Sequence, residues 1–320
     1  MQDYTYIIAR LRSLEALMPD RAWFQRLART SEEGLLVTLR EQYRGFEPVD
    51  SPYDFEMGIE AEKAAVLELI SSLITDEETI TFVRVGYDFD NVTHMMKARL
   101  LRETPALSGY GLVDPETVAH AVTGSEWGLL PEHLKEFGAR LELAGEEHGV
   151  AAVEYSGESE KWRYLLESAP ARSGRDYIRW KIDCTNIKNF IRLKRVPLRT
   201  EEPGRVWIGG GELDTDRLSA LFREPEGELY SMLAFTDYRG LIGLGLSVEI
   251  PLWKIDILLD RFLLDLLGES RYRFFDLSPV LYHLELIDRD MRLLRMIVSG
   301  LLNRMPEEII AGRMDTMLPS

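Results

Sequence analysis

The chain has 320 residues, 45% of them hydrophobic, enough for two or three domains with buried cores and too apolar for a disordered protein. Its 54 acidic and 38 basic side chains leave a formal charge of −16, which argues against a duplex nucleic-acid binder, whose contact face must be basic. A single cysteine, Cys184, excludes an intramolecular disulfide and a multi-cysteine metal site, and suits a reducing compartment.

From the N-terminus onward nearly every segment reads as helix. Residues 1–20 mix acids and bases throughout, which predicts no signal peptide. Residues 4–18 carry apolar side chains at helical spacing and stop before Pro19. Thr30 and Glu33 stand at the spacing of a capping box. Residues 54–74 are rich in Ala, Glu and Leu, all strong helix formers. Asp114–Pro115 and Ser278–Pro279 each pair a capping side chain with proline at the first helical position, where the missing N–H costs nothing. The best strand candidate is Arg205–Gly211, which a short extended connector explains equally well. The most apolar stretch, residues 241–267, is broken by Glu249, Pro251, Lys254, Asp256, Asp260, Arg261 and Asp265, so no membrane span is predicted. The fold class is therefore all-α.

The chain also repeats itself. "YDFDNVTHMMKARL", residues 87–100, and "KIDCTNIKNFIRLK", residues 181–194, share one pattern at an offset of 95 residues. Asp88, Asn91, Val92, Met95, Met96, Lys97 and Arg99 answer to Asp183, Asn186, Ile187, Phe190, Ile191, Arg192 and Lys194. The match resumes at an offset of 100, where "GLVDPETV" (111–118) is followed by "GELDTDRL" (211–218). A weaker third copy surrounds Asp290, Leu294, Ile297 and Val298, with Leu293 in place of the asparagine. These copies predict three related helical units of roughly a hundred residues, 1–105, 106–203 and 204–320.

On a helix, Asp88 falls within about 35° of the centre of the apolar face that Val92, Met95 and Met96 define, with Asn91 near its edge. Asp183 and Asn186 do the same. A carboxylate aimed at a core must find donors, because an unpaired buried charge is prohibitive. Such an acid is either a catalytic or metal-binding group or an architectural one that caps a helix or pairs with a base, with Asn bridging backbone groups. Duplication without an added histidine or second acid favours architecture. Basic residues gather late in each motif helix: Lys97, Arg99 and Arg102; Arg192, Lys194 and Arg195; Arg292 and Arg295. They either complement helix C-termini or form a basic ring for an acidic partner.

Searches for chemistry return little. There is no Gly-Lys pair for a Walker-type phosphate loop, no His-Glu-x-x-His and no Gly-x-Ser-x-Gly. His94, His120, His133, His148 and His283 are scattered, and the glycine runs 109–111 and 209–211 read as turns rather than as a dinucleotide fingerprint. No cofactor and no metal are predicted.

The residues resemble the C-subunit family of V/A-type ATP synthases, whose vacuolar relative is the d subunit. Tyr6, Ala9, Arg10 and Arg12 resemble its opening Tyr-x-x-Ala-Arg-x-Arg, with Tyr4 nearby. The two Asp-x-x-Asn helices and the turn "WIGGGELDTDRL" are similar to its internal motifs. "LLDRFLLDLL" followed by Tyr282, Asp288, Asp290 and Arg295 is similar to its C-terminal signature, with Leu293 where the family usually has Asn. The resemblance implies three similar helical domains in a pseudo-threefold, funnel-shaped arrangement on the cytoplasmic face of the membrane rotor ring, with the central shaft inserted in the mouth. It implies a non-catalytic adaptor that couples ATP turnover to proton or sodium flow, with Asp88, Asn91, Asp183, Asn186, Asp290 and Arg295 as structural motif residues. Lys97, Arg99, Arg192 and Lys194 are the candidate shaft contacts. Two rivals remain: a general helical scaffold binding peptides or partner helices, and a helical enzyme using Asp88 or Asp183 as acid or base.

Overall fold

The computed structural model describes residues 4–196, 206–271, 273 and 276–318. Among these residues every regular element is helical and none is a strand. The chain divides into two compact units, one formed by Met1–Thr75 with Asp237–Ser320, the other by Asp76–Thr236.

The first unit is built on one long buried helix. Helices α1 (Thr5–Glu15), α2 (Arg21–Ala28), α3 (Glu32–Gln42) and α4 (Phe55–Leu73) come from the N-terminal stretch. They meet the long helix near the C-terminus, α14 (Ser278–Leu302), which contributes Leu293, Leu294, Ile297 and Val298 to a core with Phe24, Leu27, Leu35, Leu39, Phe46 and Ile59. All ten of these side chains are completely buried, and burial of each stabilises by about 1.5–3 kcal/mol. Asp20 caps α2 by accepting from the Trp23 N–H.

Two caps differ from the sequence reading. Ser31, not Thr30, caps α3, accepting from the Gly34 N–H, because Thr30 turns back and donates its hydroxyl hydrogen to the Arg26 carbonyl of α2. Ser278 lies inside its helix, and both its N–H and its hydroxyl donate to Asp276.

The second unit starts with α5 (Glu77–Leu101), capped by Asp76, then α6 (Pro115–Gly124), α7 (Glu132–His148), α8 (Val150–Ser168) and α9 (Arg172–Arg195). Short helices α10 (Thr215–Leu221) and α11 (Gly227–Leu233) close it. Helix α5 packs on α6, α7 and α8, and α8 packs on α9. Phe89 sits at its centre against Phe137 and Tyr164, with ring centroids 4.8 and 5.1 Å away. His133 stacks on Tyr164 as a core histidine whose pKa burial lowers. The first unit resumes with α12 (Arg239–Gly243) and α13 (Leu252–Ser270), then α14 and finally α15 (Glu307–Met317). No described helix is long and apolar enough to cross a membrane. Of the strand candidate, Val206–Gly211 is a short connector, and Arg205 lies outside the described residues.

Candidate functional site

The repeated acids and amides fasten loops. Asp88, on α5 and fully buried, accepts the N–H groups of Leu112 and Val113, each at 3.0 Å. Asp183, on α9 and equally buried, accepts those of Glu212 and Leu213 at 2.6 and 3.2 Å. The asparagines work one step upstream. Asn91 donates to the Ser108 carbonyl and accepts from the Ser108 N–H, both at 2.9 Å. Asn186 makes the same pair of bonds with Ile208, both at 2.8 Å. A side-chain amide thus supplies the pairing a neighbouring strand would give, which is why an extended connector can read as a strand.

Each loop then delivers an aspartate to the next helix. Asp114 caps α6 by accepting from the Thr117 N–H, and Asp214 caps α10 by accepting from Asp216 and Arg217. Glycine is required where the loop crosses the acid. A Cβ on Gly111 would lie 1.9 Å from Asp88 Oδ1, and one on Gly211 would lie 2.0 Å from Asp183 Oδ1. The N–H donors and Arg84 favour the Asp88 carboxylate, but burial is the larger effect and leaves its pKa above the ordinary value.

Sequence reasoning missed two members of this constellation. Arg84 donates to the Tyr110 and Gly111 carbonyls at 2.9 and 3.0 Å, while Arg179 approaches Glu212 at 3.4 Å. They too are 95 residues apart, so the signal was present in the offset.

The third copy is built differently. Helix α14 turns directly into α15 after Asn303, Arg304, Met305 and Pro306, with no long loop to fasten. Leu293 accordingly sits in the apolar core where the other copies place asparagine. Asp290, 1% exposed, is bound by its neighbour Arg289 at 2.7 Å, and its Oδ2 has no hydrogen-bond partner among the described residues. Arg295 ties α14 to α4 through Glu56 and Glu60, at 2.8 and 3.2 Å.

All four candidate shaft bases are engaged within the chain. Arg99 donates to the Val122 carbonyl at the end of α6 (2.7 Å) and to Glu142 (2.6 Å). Its equivalent Lys194 donates to the Glu224 carbonyl just beyond α10 (2.7 Å) and lies 4.8 Å from the centre of the Phe222 ring. Both complement the negative end of the short helix whose start the motif aspartate caps. Lys97 pairs with Glu154 at 3.0 Å, and Arg192 is exposed. Burial works against Glu142, but hydrogen bonds from Ser125, Arg99 and Trp127 outweigh it and hold its pKa below the ordinary value.

This arrangement offers no room for acid–base work. Asp88 and Asp183 have no exposure, and their oxygens are occupied by backbone N–H groups. No group of three or more His, Cys, Asp or Glu among the described residues could hold a metal. A cavity of about 90 Å³ between α13, α14 and α15 is lined by Asp260, Arg261, Asp265, Arg289 and Arg292. Two more open clefts are larger, about 390 Å³ beside Ser247, Glu249 and Lys254 and about 440 Å³ beside Glu32, Glu33 and Asp50.

Comparison with known proteins adds the family. The family of ATP synthase (C/AC39) subunits matches residues 7–313. The C subunit of the A-type ATP synthase of Thermococcus onnurineus is 27% identical over 322 residues, covering 92% of this chain and 86% of that protein. The C subunit of the A-type ATP synthase of Desulfurococcus sp. is 26% identical over 333 residues, covering 96% of this chain and 89% of that protein. With all but short ends of its sequence matched, this chain belongs to the ATP synthase (C/AC39) subunit family.

Proposed function

We propose that this chain is a non-catalytic rotor adaptor of a V/A-type ATP synthase. It joins the central shaft to the membrane rotor ring from the cytoplasmic side and so couples ATP turnover to the flow of protons or sodium ions. The observation that carries the reading is the family match from residue 7 to residue 313, together with two relatives named as C subunits of A-type ATP synthases. The side-chain chemistry supports it: the motif acids spend their hydrogen-bonding capacity on loops, and no phosphate-binding motif is present. The three repeat units, 1–105, 106–203 and 204–320, belong to this proposal as related supports for one shaft. Among the four motif bases, Arg192 and Lys97 are the better shaft candidates, since Arg99 and Lys194 each serve a helix end.

Capture of the tagged chain from native membranes at low salt should bring down both the shaft and the ring proteins. Yield of the shaft should fall as salt screens the charged contacts. The isolated chain should bind no ATP at micromolar concentrations. Recovery with neither partner, or micromolar ATP binding, contradicts the reading.

A further inference from the structure

Helices α5 and α14, like α6 at Ser125, end on a left-handed residue that is not glycine, and in these two the residue is arginine. Arg102, the residue after α5, has φ 58°, and Arg304, just past α14, has φ 54°. Each stands fourteen residues after its helix's buried aspartate, Asp88 or Asp290. The closing bonds also correspond: Glu103 N–H donates to the Ala98 carbonyl at 3.0 Å, and Met305 N–H to the Gly300 carbonyl at 2.8 Å. The third copy, which has lost its loop, has kept this helix end. In the second copy the position is Pro197, outside the described residues.

A left-handed residue at a helix end is usually glycine or asparagine, because a Cβ is strained there. Arginine gains nothing inside the chain that would offset the strain. Both side chains are exposed, and among the described residues neither makes a hydrogen bond or an ion pair. Arg304 acts on the Tyr53 phenol through electrostatics alone. At α5 the helix dipole is already served by Arg99 in the last turn, whereas α14 has no basic residue in its last turn and Arg304 is the base nearest its end. Strained backbone that presents an unused charge at corresponding places points outward, to a partner.

We propose that Arg102 and Arg304 are corresponding contact residues, each holding a carboxylate of the shaft. This rests on the rotor-adaptor reading. A guanidinium fork matches one aligned carboxylate with two parallel hydrogen bonds. Exposed Leu101 beside Arg102 adds an apolar surface to the contact. Exposed acids flank both arginines in sequence, Glu103 on one side and Glu307 and Glu308 on the other. An anionic bilayer is held by clusters of several bases, which neither site supplies.

The test is the double variant R102G/R304G, measured for binding to the purified shaft protein and for thermal stability. Glycine relieves the strain, so the melting temperature should hold or rise. Affinity for the shaft at low salt should nevertheless fall about tenfold, the loss of two charge-assisted contacts. R102K/R304K, which keeps charge without the fork, should bind with intermediate affinity. Undiminished shaft binding by the glycine variant would overturn this inference and leave the adaptor reading intact. So would unchanged shaft binding with lost binding to phosphatidylserine vesicles, which would assign the arginines to a membrane. Failure of the wild-type chain to bind the shaft would overturn the adaptor reading and this inference with it.

Discussion

Asp183→Ala is expected to destabilise the protein by about 3 kcal/mol, and Asp88→Ala by a similar amount. Each substitution removes the buried carboxylate that two loop N–H groups donate to, at about 1–3 kcal/mol for an unsatisfied group. Two such groups together span about 2–6 kcal/mol, and water entering the vacated space recovers part of that loss, which keeps the total at about 3 kcal/mol, in the lower half of the range. Gly211→Ala should cost about 2–3 kcal/mol by itself, because its Cβ would have to displace Asp183 Oδ1 from 2.0 Å away. In the Asp183→Ala background that carboxylate is gone, so the added methyl should cost less than about 1 kcal/mol. The double-mutant cycle therefore predicts strong non-additivity at Asp183–Gly211, and the same at Asp88–Gly111. Urea unfolding of the four proteins in each cycle checks it. Additive costs would mean that loop and acid are not in the contact described.

Asp290→Asn should remove a pH dependence that runs opposite to that of an ordinary surface carboxylate. Burial pushes the Asp290 pKa from 3.8 up to about 6, against the opposing pull of Arg289 and His283. The folded chain therefore holds this proton where the unfolded chain has released it. Stability from the protonated acid is complete below pH 3.8 and is lost as pH rises through 6. At 1.36 kcal/mol per unit, the wild type should lose about 2 kcal/mol relative to Asp290→Asn between pH 4 and pH 7. The groups around this acid fit the sign. Arg289 engages only Oδ1, Oδ2 has no hydrogen-bond partner among the described residues, and the buried phenol of Tyr43 is itself shifted upward, first by burial and then by the charges of Asp290 and Glu62. Denaturation midpoints of both proteins across pH 4–8 measure the difference directly. Parallel profiles would show that Asp290 titrates as it does in the unfolded chain.

The helical class was legible because apolar residues recur at helical spacing and because turn chemistry is clear at Asp114 and Asp214. The clasps were legible too, since Asp88 and Asp183 sit on apolar faces where only partnered acids survive, and the match between the copies resumes at Gly111 and Gly211, at an offset of 100. What escaped depends on distant partners. No local pattern says that Arg99 will find the Val122 carbonyl or that Lys194 will find that of Glu224, because those groups lie in a helix and a turn later in the chain. Nor does any local pattern join the N-terminal helices to α14, since that core is assembled from opposite ends of the sequence. The cap shift from Thr30 to Ser31 has a similar origin, because the carbonyl of Arg26 competes for the threonine hydroxyl.

The most direct test of the adaptor reading is ion pumping by the reconstituted ATP synthase with and without this protein. Without it, the soluble head should continue to hydrolyse ATP while pumping falls to background, and adding the purified chain should restore pumping. Pumping that persists in its absence would contradict the account, as would ATP hydrolysis that stops when the chain is withheld from an otherwise intact head.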